Sequence, residues 1–201
     1  MKVSEARKIT GSMTRTSKMP GLSYSLPAWE CQVGAKLRTV KGSVCSGCYA
    51  LKGNYTRYPA IKAAQYYRLQ SLYNPQWIPA MVAQIKRQKY FRWHDAGDLQ
   101  SVQHLKNIFE VCNRTPGTRH WLPTREVRYT RLMDPAIVPT NLKIIISDHM
   151  IDQETPVKSW PFTSGVSTKS ATCPAPSQGG KCGSCRQCWD RNVARVVYGK
   201  H

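Results

Sequence analysis

Acidic residues are scarce in this 201-residue chain: eleven Asp and Glu stand against thirty Lys and Arg, a formal net charge of +19 with histidines neutral. Such a field attracts polyanions, nucleic acid or nucleotide above all, with an affinity that falls steeply as salt rises. The basic residues are spread along the chain rather than gathered in one arm, so the plainer alternative is a solvated basic surface that only aids solubility. Also missing is any run near the roughly 20 apolar residues of a membrane span. The first twenty residues, MKVSEARKITGSMTRTSKMP, hold no apolar stretch of the kind a secretory signal needs. The expectation is a protein of a reducing cytoplasm with no membrane partner, where structural disulfides are rare. No internal repeat or low-complexity tract breaks the chain, and 41% hydrophobic residues suffice for one domain with a sizeable core.

What the chain does have is cysteine. Cys182, Cys185 and Cys188 are spaced C-x2-C-x2-C, with Cys173 shortly before them. Thiolates three residues apart can turn inward around one iron–sulfur cubane, as in bacterial ferredoxins. Tetrahedral zinc more often takes separated C-x2-C pairs. Cys173 precedes Pro174, echoing the Cys-Pro that ends the ferredoxin run, and Gly179-Gly180 lets the intervening loop fold back. Upstream, Cys31, Cys45 and Cys48 form C-x13-C-x2-C. Gly42 and the polar segment before Cys45 make a loop able to return to Cys31, so these three are expected to converge. In a cytoplasmic chain these seven read as metal ligands rather than a disulfide framework. They would hold one or two 4Fe–4S clusters, with His201 as a candidate for a missing ligand. The eighth, Cys112, falls on the apolar face of a helical pattern and reads as a buried structural thiol.

Between the two cysteine groups the pattern turns regular. Tyr58 to Tyr73 reads as a helix, and Trp77, Ile78, Met81, Val82 and Ile85 repeat at helical spacing, with Pro75 or Pro79 in the first turn. Lys89 to Trp93 is a short strand, and a helical period resumes from Leu99. Thr118 to Pro123 and Phe162 to Thr168 read as further strands, and Asn141 to Ser147 is a buried one. The expected organisation is a single domain over 1–201. It has an irregular N-terminal segment (1–57), a βα core (58–170) and a cysteine-rich tail (171–201). Nearly continuous apolar strands alternating with helices imply an α/β fold with a mostly parallel sheet. The chain is short for a complete eight-fold barrel, so a partial or distorted βα (TIM-like) barrel is expected, with an open doubly wound sheet as the alternative.

In such folds functional groups gather where strands end and lead into helices. Those loops would bring together His94, Asp95 and Asp98, then Arg125 and Glu126, then Asp148 and His149, then Lys169. The plainer reading makes Asp98 the cap of the helix from Leu99, Asp148 a turn cap and His94 a satisfied core histidine.

Leu22-Ser23-Tyr24, the Trp29-to-Cys31 stretch, Cys45-Ser46-Gly47-Cys48-Tyr49-Ala50, His94-Asp95-Ala96-Gly97-Asp98 and the cysteine-rich tail resemble a phage protein family labelled gene product eighty-eight. The resemblance runs over nearly the whole chain. Members of that family are similar in outline to radical S-adenosylmethionine enzymes. The resemblance implies a viral protein of the host cytoplasm, a barrel-like core and iron–sulfur binding, and it names no substrate. Radical enzymes use C-x3-C-x2-C, leaving one iron open for S-adenosylmethionine; here the third cysteine lies thirteen residues upstream of the C-x2-C pair. The departure counts against that cofactor, although Gly97 would suit a loop facing it by analogy.

Three functions compete on these residues. The first is a cluster-binding protein doing redox or radical chemistry, fed by a host electron donor. The second is a zinc-stabilised, basic nucleic-acid-binding protein in which Cys45 and Cys48 pair with two tail cysteines. The third is a hydrolase or nuclease using His94, Asp95, Asp98 and Asp148 with a divalent ion.

Overall fold

Short apolar runs become the strands of one sheet in the computed structural model, which describes residues 1–154 and 160–200. The strands are β1 (Thr14–Arg15), β2 (Leu22–Tyr24), β3 (Tyr90–Trp93), β4 (Arg119–Thr124), β5 (Leu142–Ser147), β6 (Thr163–Ser167) and β7 (Arg195–Gly199). They lie side by side in chain order. β1 and β2 pair antiparallel, and every later neighbour pairs parallel. A doubly wound sheet reverses its strand order at a switch point; this one never reverses, and its order is that of an unrolled barrel. Its two edges, β1 and β7, do not pair with each other among the described residues. His201 lies outside those residues.

The two faces of the sheet are covered differently. All six residues of β5, Leu-Lys-Ile-Ile-Ile-Ser, are buried, as a central strand covered on both sides requires. Leu142, Ile144 and Ile146 join Phe91, Trp93 and Leu122 in the main core with Trp77, Met81 and Ile85 of α5 (Trp77–Ile85) and Leu105, Ile108, Phe109 and Cys112 of α6 (Val102–Asn113). Cys112 is fully buried there, as its place on the apolar face implied. On the opposite face Trp121 and Ile145 pack with Phe162 and Trp189. The cysteine-rich segment is therefore the lid of the second face.

Several expected boundaries moved. The helix expected from Leu99 begins at Val102, because the Ser101 hydroxyl accepts the His104 N–H at 3.0 Å and sets the cap there. The expected helix at Tyr58–Tyr73 is α4 (Pro59–Ser71), with proline in the first turn, where its missing N–H costs nothing. The N-terminal segment is not irregular. Residues Val3–Thr10 form α1, whose Ala6 and Ile9 pack on Ala80 and Ala83 of α5. β1 and β2 follow it, then two short helices, α2 (Gln32–Leu37) and α3 (Asn54–Arg57). The tail likewise contributes β7. A last short helix, α7 (Val127–Thr130), follows β4.

Candidate functional site

The polar ends of β3, β4 and β5 are tied to one another and to the first cysteine group. Asp98 is buried beyond β3. Its Oδ1 accepts from the Thr124 hydroxyl at 2.6 Å and the Leu99 N–H at 2.8 Å, and its Oδ2 accepts from the Arg125 N–H at 2.9 Å. It therefore straps the ends of two strands together, which the plainer reading of it as a helix cap does not include. Burial is the largest influence on its carboxyl and lifts it to about 6, against the lowering effect of these hydrogen bonds. Arg125 Nε donates to the Asp148 carbonyl at 3.1 Å. Glu126, fully buried, accepts the Gln32 and Val33 N–H groups at 3.1 and 2.7 Å. It thereby satisfies the first donors of α2, directly after Cys31. The loop carrying Cys45 is held to the end of β5, where Val44 N–H donates to the His149 carbonyl at 2.9 Å and Ile151 N–H to the Gly42 carbonyl at 3.0 Å.

Those straps bring Cys31, Cys45 and Cys48 into one neighbourhood. The Sγ atoms of Cys31 and Cys45 each lie 3.7 Å from the point where a side chain on Gly34 would begin. Burial raises the Cys31 thiol most, and the charges of Asp98, Cys48 and Cys45 raise it further, while Arg38 acts against them. The Cys45 thiol is also raised by burial, with Arg125 and Arg38 opposing. The two guanidinium groups offset part of that rise.

His94 and Asp95 follow β3 and are sealed from solvent, at 3% and 1% exposure. The His94 backbone is left-handed, with φ 55, a conformation rare outside glycine and often kept where function over-determines it. Neither of its ring nitrogens has a hydrogen-bond partner. Burial first, then the His104 and Arg92 charges, holds the ring well below its usual range, so it is neutral. Asp95 Oδ2 accepts from the Tyr55 hydroxyl at 2.9 Å, its carbonyl accepts from the Tyr49 hydroxyl, and its Oδ1 is buried without a partner. Gly97 (φ 80) packs closely against the segment after β2: a side chain there would meet Leu26 Cβ at 2.6 Å and the Leu26 carbonyl oxygen at 2.8 Å.

The remaining candidates from the strand ends separate. Asp148 Oδ2 pairs with Arg195 of β7 at 2.6 Å, and a side chain on Gly165 would clash with both partners at 2.7 Å. His149 is held below its usual range by burial first and then by the Arg125 charge. Lys169 is exposed and lines a different, open cleft of about 330 Å³ with Ser167, Thr168 and Lys200.

On the second face of the sheet, Cys173, Cys182, Cys185 and Cys188 line one cavity of about 20 Å³, together with Pro174, Ala175, Trp189 and Val196. Gly179 and Gly180 adopt φ 61 and 74, so the loop between Cys173 and Cys182 does fold back through left-handed backbone. Cys188 Sγ lies 3.2 Å from the Tyr198 hydroxyl, and burial, the largest influence, pushes its thiol up to about 11. Among the described residues, no three His, Cys, Asp or Glu side chains stand arranged to hold a single metal ion.

Sequence reasoning missed the residue that anchors this turn. Lys143, in the middle of β5, is 1% exposed, and its Nζ donates to the carbonyls of Gln187, Asp190 and Val193 at 2.8, 2.6 and 2.7 Å. The signal was present: a lysine inside an otherwise apolar buried strand needs a set of acceptors. Arg92, alternating with Phe91 and Trp93, was also missed. It stacks over Trp121 at 4.4 Å and donates to the Tyr49 hydroxyl at 3.3 Å, between the two cysteine groups.

No helix is long and apolar enough to cross a membrane among the described residues. No curated protein and no solved structure matches the chain significantly. The family model described as Gene product 88 matches residues 1–191, a span that holds all eight cysteines, and the chain belongs to the Gene product 88 family.

Proposed function

We propose that this chain is a viral iron–sulfur protein. Cys173, Cys182, Cys185 and Cys188 would hold one 4Fe–4S cluster, and Cys31, Cys45 and Cys48 a second. The observation that carries this reading is the set of four thiols around one apolar cavity, on a turn clamped by Lys143. A tetrahedral zinc site draws its thiolates to about 2.3 Å from one ion, whereas a cubane spreads them over separate corners. The approach of the Cys31 and Cys45 sulfurs to the same side of Gly34 supports the same reading for the first cysteine group.

Such clusters supply one-electron chemistry when bound. The residues of the chain would do the rest. Arg38 and Arg125 offset negative charge beside Cys45. Asp98 and Glu126 hold β3, β4 and α2 in register, and the buried His94 and Asp95 keep water from that side. Three cysteines satisfy three irons and leave one for a small molecule, which is how S-adenosylmethionine enters as a proposed cofactor of a radical-type enzyme.

Anaerobic purification with iron and acid-labile sulfide analysis tests the reading. A brown protein with both elements, lost from the tail site in Cys185→Ser and from the first site in Cys45→Ser, is expected. A colourless protein carrying zinc alone, or full iron in both variants, overturns it. Adding S-adenosylmethionine to the reduced protein then tests the radical extension: an unchanged paramagnetic resonance spectrum without deoxyadenosine removes that step and leaves cluster binding standing.

A further inference from the structure

No Asp or Glu occurs between Glu30 and Asp95, a stretch that holds eleven Lys and Arg residues. The structure folds part of that stretch into one aromatic and basic neighbourhood beside the first cysteine group. α3 packs against α4 and against the turn Tyr49–Leu51. Ala28, Ala50 and Ala96 form a small core beneath, with Cys48, Leu51 and Tyr55 packed on it. Above that core, Tyr49 is 57% exposed and Tyr58 48% exposed. Lys52, Arg57 and Lys62 are exposed around them. Lys62 Nζ sits 5.1 Å from the centre of the Trp29 ring. The nearest acidic group in sequence, Glu30, accepts from the Tyr66 hydroxyl at 2.9 Å, and Asp95 is buried. Exposed aromatic faces beside several lysines and arginines offer a surface on which bases stack and phosphates pair.

We propose that single-stranded nucleic acid docks on the face formed by Trp29, Tyr49, Lys52, Arg57, Tyr58 and Lys62. Exposed aromatic rings offer stacking surfaces to splayed bases of any sequence, and the lysines and arginine meet the phosphates. A duplex keeps its bases stacked on one another and cannot use the tyrosines, so single strands are selected. The strand passes Cys48, which neighbours Tyr49 in sequence. The inference rests on charge and stacking and stands whether or not the cysteines hold a cluster.

The test is fluorescence anisotropy of the full-length protein with a labelled oligothymidine, a single-stranded RNA of equal length and a duplex, over a salt series. Binding of either single strand more tightly than the duplex is expected. Lys52→Ala/Arg57→Ala/Lys62→Ala should weaken it at least tenfold and flatten the log–log salt slope by about 2, since each phosphate contact on a single strand contributes about 0.7. Tyr58→Ala should weaken binding about tenfold at every salt concentration, as loss of one stacking contact does. Lys106→Ala/Arg114→Ala, which removes two exposed charges from α6 and the residue after it, should leave binding within twofold. Iron content is measured on each variant, so a lost cluster is not mistaken for a lost docking face. Equal weakening by both sets of charge substitutions, preference for the duplex, or no binding at low salt overturns the proposal.

Discussion

The indole of Trp189 donates to the carbonyl of Phe91 at 2.9 Å, across a separation of 98 residues in the chain. The ring also stands edge-on to Tyr90 and Trp121, with centroids 5.5 and 5.2 Å apart. This one side chain fastens the cysteine turn to the second face of the sheet. Trp189→Ala should therefore cost about 3–5 kcal/mol, the usual loss for a buried aromatic, measured by denaturant unfolding. Trp189→Phe should recover most of that and lose only the hydrogen bond, about 1 kcal/mol. Equal stability of the Ala variant and the native chain would show that the turn is not docked there.

Lys143 gives a second test of the same clamp. Lys143→Met keeps the apolar stem and strips three carbonyls of their donor. Each carbonyl left unsatisfied costs about 1–3 kcal/mol, so the variant should melt lower, by roughly 3 kcal/mol or more in stability. Replacing a buried charge with an apolar side chain sometimes stabilises a protein; a higher melting temperature for Lys143→Met would place this lysine in that class and remove it as the anchor.

Gly34 separates stability from site. It lies inside α2, where replacing glycine with alanine ordinarily favours the helix by about 1 kcal/mol. A methyl group there would meet Cys31 Cβ at 2.9 Å and both neighbouring sulfurs at 3.7 Å. Gly34→Ala should lower iron and sulfide bound by the first cysteine group while leaving the tail group loaded. A variant that is more stable and fully loaded would mean that the space is not used.

The buried histidines set a pH dependence. His104 and His120 are each held down to about 3 by burial, against 6.5 for a free histidine. Between those values the unfolded chain binds protons that the folded chain refuses, so stability rises with pH. The contribution is complete above about 6.5 and is lost as pH falls toward 3, at up to about 1.4 kcal/mol per pH unit for each proton. Asp98, raised to about 6, works in the opposite sense between its free value near 4 and 6, and offsets one of the two. Unfolding midpoints at pH 7.5 and 5.0 should show a net loss at the lower pH, and His120→Gln should reduce it. An unchanged midpoint would mean that one of these rings is charged or solvated in the folded protein.

The strands β3 to β6 were legible because each is a short apolar run with a polar ending. The same logic placed His94, Asp98, Arg125 and Asp148 where strands stop. β2 and β7 escaped it for a physical reason: Leu-Ser-Tyr is three residues long, and Arg-Val-Val-Tyr-Gly follows a turn rich in cysteine and charge. Both are stabilised by neighbouring strands rather than by their own pattern. Spacing identified the two cysteine groups, and the folded chain does gather each of them. What spacing does not carry is long-range support, such as Lys143 under the tail turn or Glu126 at the head of α2. Those contacts join residues 44 and 94 positions apart, a distance at which local pattern holds no information. The packing of Gly97 on Leu26 and the bonds of Asp98 to Thr124 and Arg125 were likewise invisible to local pattern.

The order in which the sheet is assembled gives the lid a further meaning. Trp121 and Ile145 belong to strands synthesised well before Trp189, so as the chain leaves the ribosome the cover of their face stays incomplete until the cysteine turn arrives. A nascent chain stalled or cleaved before that turn would present an apolar sheet surface and would be recognised by chaperones or aggregate. The order of synthesis thus leaves this face to be completed by nearly the last segment made.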